Sequence, residues 1–160
     1  MRDRLLVAIT ALIFAGCGPE ETETNEEPNS APSVTSVFVS PGSATVADAL
    51  TCSWSGFEDA DGDYDLSTVT WTIGKTSVGE ETTLTAGYSK GDTVTCTVTP
   101  NDGTDNGEPV SAEITIQNSA PSVSFVDVSP NPAGADDTLT CTWLGFEDAD
   151  NDEDLSSITW

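Results

Sequence analysis

The 160-residue chain contains no histidine, and its only basic residues are Arg2, Arg4, Lys75 and Lys90, against 28 aspartates and glutamates. Without histidine it lacks the commonest general base near neutral pH and the commonest transition-metal ligand. A formal net charge of −24 repels phosphate backbones and anionic lipid headgroups, which argues against nucleic acid as a partner. By charge alone, partners should be cationic, neutral or metal ions. Also missing are the G-x-S-x-G, P-loop, G-x-G-x-x-G and H-E-x-x-H patterns, so no catalytic residue can be named and no enzyme is expected within these residues. The most apolar segment, Leu5–Ala15, is far short of the roughly twenty residues of a membrane-spanning helix. No helical periodicity follows it.

That segment has the parts of an export signal: Arg2 and Arg4 ahead, the apolar stretch, then small residues before a cysteine. Residues 1–16 are therefore expected to be cleaved. Phe14-Ala15-Gly16-Cys17 resembles the lipobox of bacterial lipoproteins, with Phe14 where that family usually has leucine. The resemblance implies a lipid on Cys17, a membrane anchored through that lipid and an extracytoplasmic location. Gly18, rather than aspartate, after the cysteine favours the outer membrane or cell surface by the same resemblance. The alternative reading is an ordinary secretory signal with an incidental cysteine. Residues 17–33 carry five glutamates and no large apolar side chain. They are expected to form a disordered acidic linker, because such a segment buries too little surface to offset its ordering entropy.

Comparing the sequence with itself decides the architecture. Asn29-Ser30-Ala31-Pro32-Ser33-Val34 recurs at Asn118-Ser119-Ala120-Pro121-Ser122-Val123, and residues 29–71 align with 118–160 at an offset of 89 with 28 identities in 43 positions. Cys52, Trp54, Phe57 and Trp71 map onto Cys141, Trp143, Phe146 and Trp160. The expected organisation is a first module over 34–117 and the opening half of a second over 118–160, as in a fragment of a longer protein.

Within the first module, apolar and polar residues alternate over short runs bounded by Gly, Pro, Asn and Asp, the mark of half-buried antiparallel strands. Leu50, Cys52 and Trp54 fall on one face; so do Val69, Trp71 and Ile73, then Val94, Cys96 and Val98, then Ala112, Ile114 and Ile116. About seven strands are expected, giving an all-β fold. The tryptophans fall on inward phases, which favours core packing over a sugar-stacking platform. Threonine rows on the opposite faces read as exposed β-formers.

These residues resemble the immunoglobulin-like β-sandwich modules repeated in large bacterial surface proteins. The carriers are Ala31-Pro32-Ser33-Val34, Leu50-Thr51-Cys52, Trp71, Lys90-Gly91-Asp92-Thr93-Val94-Thr95-Cys96 and Asn101-Asp102-Gly103. Val94 stands where antibody-type domains place the corner tyrosine. The resemblance implies tandem sandwiches, with Cys52 and Cys96 as the disulfide between the second and sixth strands and Cys141 awaiting a partner at the equivalent of position 185. The alternative is two buried free thiols.

The first acidic loop holds Asp59, Asp61, Asp63 and Asp65, and the second copy keeps Asp148, Asp150, Asp152 and Asp154. Carboxylates on alternate residues can converge on Ca²⁺, which takes about six to eight oxygen ligands. The pattern is not an EF-hand, since Tyr64 and Thr70 stand at its sixth and twelfth positions. It is closer to the calcium loops of cadherin-like modules. In a sandwich of that type this loop shares one end with the loop carrying Asp102, so that Asp102 joins the candidate ligands. The alternative is a solvated acidic turn. The functional expectation is a surface-anchored structural or adhesive lipoprotein whose modules act as a spacer or binding stalk toward neighbouring modules and an unknown surface protein or glycan. The rivals are the anchoring region of a larger surface enzyme, such as a hydrolase, and a ligand-binding module using its exposed loops.

Overall fold

The computed structural model describes residues 27–160; the expected export signal, Cys17 and most of the expected acidic linker lie outside the described residues. The alternation sets the elements. In β1 (Ser36–Ser40) and β2 (Leu50–Ser55), Leu50 and Cys52 turn inward while Thr51 and Ser53 face solvent. β3 (Thr68–Ile73), β4 (Thr76–Gly79), β5 (Thr83–Leu84), β6 (Thr93–Thr99) and β7 (Val110–Thr115) follow. They form two antiparallel sheets, ordered β1-β2-β5 and β4-β3-β6-β7, packed as an all-β sandwich.

The buried faces of the two sheets carry the core. Leu50, Trp71, Val94, Cys96 and Val98 have no solvent exposure, and full burial of a side chain of this kind contributes about 1.5–3 kcal/mol. The Cys52–Cys96 disulfide crosses from β2 to β6, tying sheet to sheet with its Cα atoms 6.2 Å apart. The Trp71 indole donates to the Glu81 carbonyl at 2.8 Å. Gly79 leaves room for this packing, since a Cβ there would lie 2.9 Å from Leu84 Cδ1. At the β5–β6 corner, the buried Tyr88 donates its hydroxyl to the Asp48 carbonyl in the β1–β2 connection. No tyrosine stands two residues before Cys96, yet Tyr88 makes a similar tie from further upstream.

Strand direction places the ends of the module. β1 runs away from the end where the β2–β3 and β6–β7 loops lie, and β7, antiparallel to β6, runs the same way. The chain therefore starts the module at one end and leaves at the other, where Gln117 donates to the Ala44 carbonyl at 2.7 Å and Ala44 bridges Ile116 in parallel.

Residues 118–160 build a hairpin of β8 (Ser122–Ser129) and β9 (Thr140–Glu147). Its register repeats the first: Val126 faces Trp143 and Val128 faces Cys141, as Val37 faces Trp54 and Val39 faces Cys52. A bulge glycine is repeated too. Gly56 (φ +71°) and Gly145 (φ +67°) sit where a Cβ would fall 2.4 Å from Thr35 Oγ1 and 2.0 Å from Ser124 Oγ. Gly56 lets the Thr35 amide reach the carbonyls of both Ser55 and Gly56.

Two expectations need correction. Trp160, aligned with the core residue Trp71, is 74% exposed, because the described residues hold no counterpart of β6 for its segment to pair with. The last part of the linker, 29–33, is also not loose: Pro32 is buried and Ser33 bridges Glu58. Hydrogen bonds offset its ordering there, which apolar content alone does not reveal.

The cross-sheet bond gives the first test. Replacing both cysteines (Cys52→Ala, Cys96→Ala) should lower the unfolding free energy by about 4 kcal/mol for a loop of this length, measured by urea denaturation. An unchanged midpoint would show that the bond does not constrain the module.

Candidate functional site: two acidic poles

Three segments meet at the pole of the sandwich: residues 29–34 before β1, 56–67 between β2 and β3, and 100–109 between β6 and β7. Ser33 and Glu58 exchange both backbone hydrogen bonds at 2.9 Å, and the Leu66 amide donates to the Asn101 carbonyl at 2.8 Å. Gly107 closes the third side, for a Cβ there would lie 1.8 Å from the Pro32 carbonyl oxygen. Only a residue without a side chain lets the chain pass so near the loop.

The carboxylates act here chiefly as acceptors of N–H groups. Asp59 Oδ1 accepts from the amides of Asp61 and Asp63 at 2.9 and 3.0 Å. Asp61 Oδ2 accepts from the Ser30 amide at 2.7 Å, which pins the incoming chain. Asp102, 7% exposed, accepts from the amides of Thr104 and Asp105 at 2.6 and 2.7 Å and from Asn29 Nδ2 at 3.0 Å. Asn29 Nδ2 also reaches Asp105 at 2.9 Å. The Asp105 amide first, then Asn29 and the Thr104 amide, hold the Asp102 carboxyl below the usual aspartate range. Asp65 accepts from the Trp54 indole and the Ser67 amide, both at 2.9 Å. Desolvation pushes its carboxyl up, but the bonds from Ser67 and Trp54 together outweigh it and leave it low. Asp63 is exposed.

The second copy repeats the hydrogen bonds of the first acidic loop, though not those of Asp102. Asp148 Oδ1 accepts from the amides of Asp150 and Asp152 at 2.9 and 3.0 Å, and Asp150 Oδ2 accepts from the Ser119 amide. Asp154 accepts from the Trp143 indole at 3.3 Å and the Ser156 amide at 2.9 Å. The open cleft beside Ala31, Phe57, Asp59 and Asp63 recurs beside Ala120, Phe146, Asp148 and Asp152.

The nine candidate ligands thus fall into different groups. Carboxylate oxygens of Asp148, Asp150 and Asp152 lie within 4.8 Å of one another, the one such group of three among the described residues. Asp59, Asp61 and Asp63 share a loop without closing to that extent. Asp65 and Asp154 are turned to tryptophan indoles, and Asp102 to Asn29 and its own loop. Exposed acidic groups are common without an ion, so the proximity is not in itself evidence for calcium. The cation the structure places at the second cluster is the Lys90 ammonium, which pairs with Asp152 and donates to Asn118 Oδ1 at 3.2 Å. The hydrogen bond to Asp152, with the charges of Asp152, Asp150 and Asp148, raises the Lys90 pKa against an opposing desolvation.

Sequence reasoning singled out neither Asn29, Gly107 nor Tyr88, and it read Lys90 as one of few basic residues and part of a strand motif, without a partner. A signal existed for Asn29, which the repeat duplicates at Asn118, and for Lys90, one of two lysines in the chain. Compared with known proteins, the chain matches no family model, no curated protein and no solved structure.

The lowered Asp102 carboxyl fixes the sign of a pH effect. Its stabilisation is complete above the ordinary aspartate range and is lost as the pH falls through its lower native value. The thermal midpoint of the wild type should therefore drop more steeply below about pH 4 than that of Asp102→Asn, and at pH 7 the variant should be the less stable of the two. Parallel curves from pH 7 to 3 would show that this carboxylate does not hold the pole.

Proposed function

We propose that the chain is the base of an extracytoplasmic stalk: a lipoprotein held by lipid on Cys17, with immunoglobulin-like modules as spacers. One observation carries this reading. The first module takes in the chain at its acidic pole and releases it at the opposite end, directly before a second copy of the same pole. A module with its termini at opposite ends adds its length to a column, whereas one with adjacent termini would add a side branch. The charges run the same way. The acidic loops cluster at the first pole, while Lys75, in the β3–β4 turn, and Lys90, in the β5–β6 connection, lie at the far end. The far end, where Asp48 and Asp92 accompany the two lysines, is therefore far less anionic than the pole, which suits head-to-tail stacking.

The anchor supports the reading from the sequence side, since an export signal, a cysteine and a polar acidic linker precede the first pole. More than one acyl chain is needed for stable attachment, because a single chain binds membranes only reversibly. In this reading the polar linker spaces the column from the headgroups it would otherwise meet.

The test is metabolic labelling with a palmitate analogue in a bacterial host, followed by membrane fractionation. The wild type should take up label and sediment with membranes, and Cys17→Ala should lose both. Label retained by Cys17→Ala, or a wild type without label, would overturn the anchor.

A further inference from the structure

The far end of the first module meets the second acidic loop through one side chain. We infer that Lys90 is a built-in cation of the Asp148–Asp150–Asp152 cluster and keys the joint between the two repeats. The inference rests on the observed pairing and does not depend on the lipid anchor or on the stalk.

Charge sets the problem that Lys90 solves. Three carboxylates with oxygens inside 4.8 Å repel one another, and backbone amides satisfy only part of their capacity. Asp148 Oδ2 and Asp150 Oδ1 are buried with no hydrogen-bond partner, as is Asp59 Oδ2 at the equivalent position of the first pole. A positive charge at the cluster lowers the energy of all three acids together. Lys90 supplies it from a turn that is itself tied down: the Gly91 amide donates to the Ile116 carbonyl at 2.8 Å, and the Ile116 amide donates to the Asp92 carbonyl at 2.9 Å. The turn that carries the ammonium is thus fastened to the strand that leads into the second repeat.

Geometry makes the contact specific to the joint. Lys90 bonds the side chains of both Asn118, in the connection, and Asp152, in the loop, so the ammonium bridges the segment that enters the second repeat and the loop that caps it. An exposed ion pair between free molecules contributes little. Here the connection already holds the partners close, so the pair has only to select among the orientations that the connection allows. One pair is then enough to bias an orientation.

Residual dipolar couplings of the ¹⁵N-labelled chain without its signal, carrying Cys17→Ser to keep it lipid-free, test this in chelator. In the wild type, the first module and the β8–β9 hairpin should fit one alignment tensor. Lys90→Met and, from the other side, Asp152→Asn should each split the fit into two, while Lys90→Arg should keep one. Salt at 1 M, where the screening length is about 3 Å, should loosen the wild type. Cross-strand contacts between Val126 and Trp143 report whether the hairpin stays folded in each variant. A single tensor in Lys90→Met would overturn the inference. So would a wild type that is split in chelator and joined only by added calcium, which would assign the joint to a metal, or a wild-type hairpin without cross-strand contacts.

Discussion

With four basic residues for 28 acidic ones, ion pairs can neutralise few of the carboxylates, and those drawn into loops need other donors. Backbone amides are the donors at hand. Asp59, Asp61 and Asp102, with Asp148 and Asp150 in the second copy, each accept from one or more main-chain N–H groups. A bond to a charged acceptor contributes roughly twice what a neutral one does. The same bonds set the paths of the loops and the position of the incoming chain. The poles are therefore structural whether or not they bind anything.

This constraint explains why the acidic loops are so similar between repeats although their surroundings differ. The second pole sits on a bare hairpin whose inner face is exposed at Val126 and Leu139, whereas the first rests on a closed sandwich. The turns nevertheless coincide, because each is determined by contacts inside the loop and with the five or six residues preceding its strand. Loop geometry is local here, and core packing is not. Trp71 and Trp160 show the contrast: they align in the repeat, yet one is fully buried between two sheets and the other is mostly exposed.

Much of the fold was legible because alternation is a strong signal. The inward phases of Leu50, Cys52, Val94, Cys96 and Val98 follow from period-two patterning, and the two cysteines on facing sheets are disulfide-bonded as the family resemblance implied. The acidic loops were legible as loops, and their meeting with the Asp102 loop at one end followed from the expected topology. What composition could not show is which polar groups satisfy one another. Asn29 and Ser30 look like the end of a solvated linker until the carboxylates that receive their N–H groups are located. Asp65 looks like one more ligand in an alternating series, yet its oxygens serve the Trp54 indole and the Ser67 amide. Patterns of spacing report which residues are near in sequence; they do not report which acceptor each donor finds.

Lys90 is the sharpest case of that difference. In a chain this acidic, two modules brought end to end meet a net repulsion unless a cation lies between them. Lys75 and Lys90 both belong to the end of the first module from which the second begins, and Lys90 contacts the second loop directly. Had the lysines stood at the acidic pole, the first module would have offered the joint no cation. Their place at the far end puts the first module's cations beside the second acidic loop, whereas in the reverse arrangement acidic pole would face acidic pole. The scarcity of basic residues thus gives the few that exist more influence, since Lys90 is the one ammonium paired with the second acidic loop among the described residues.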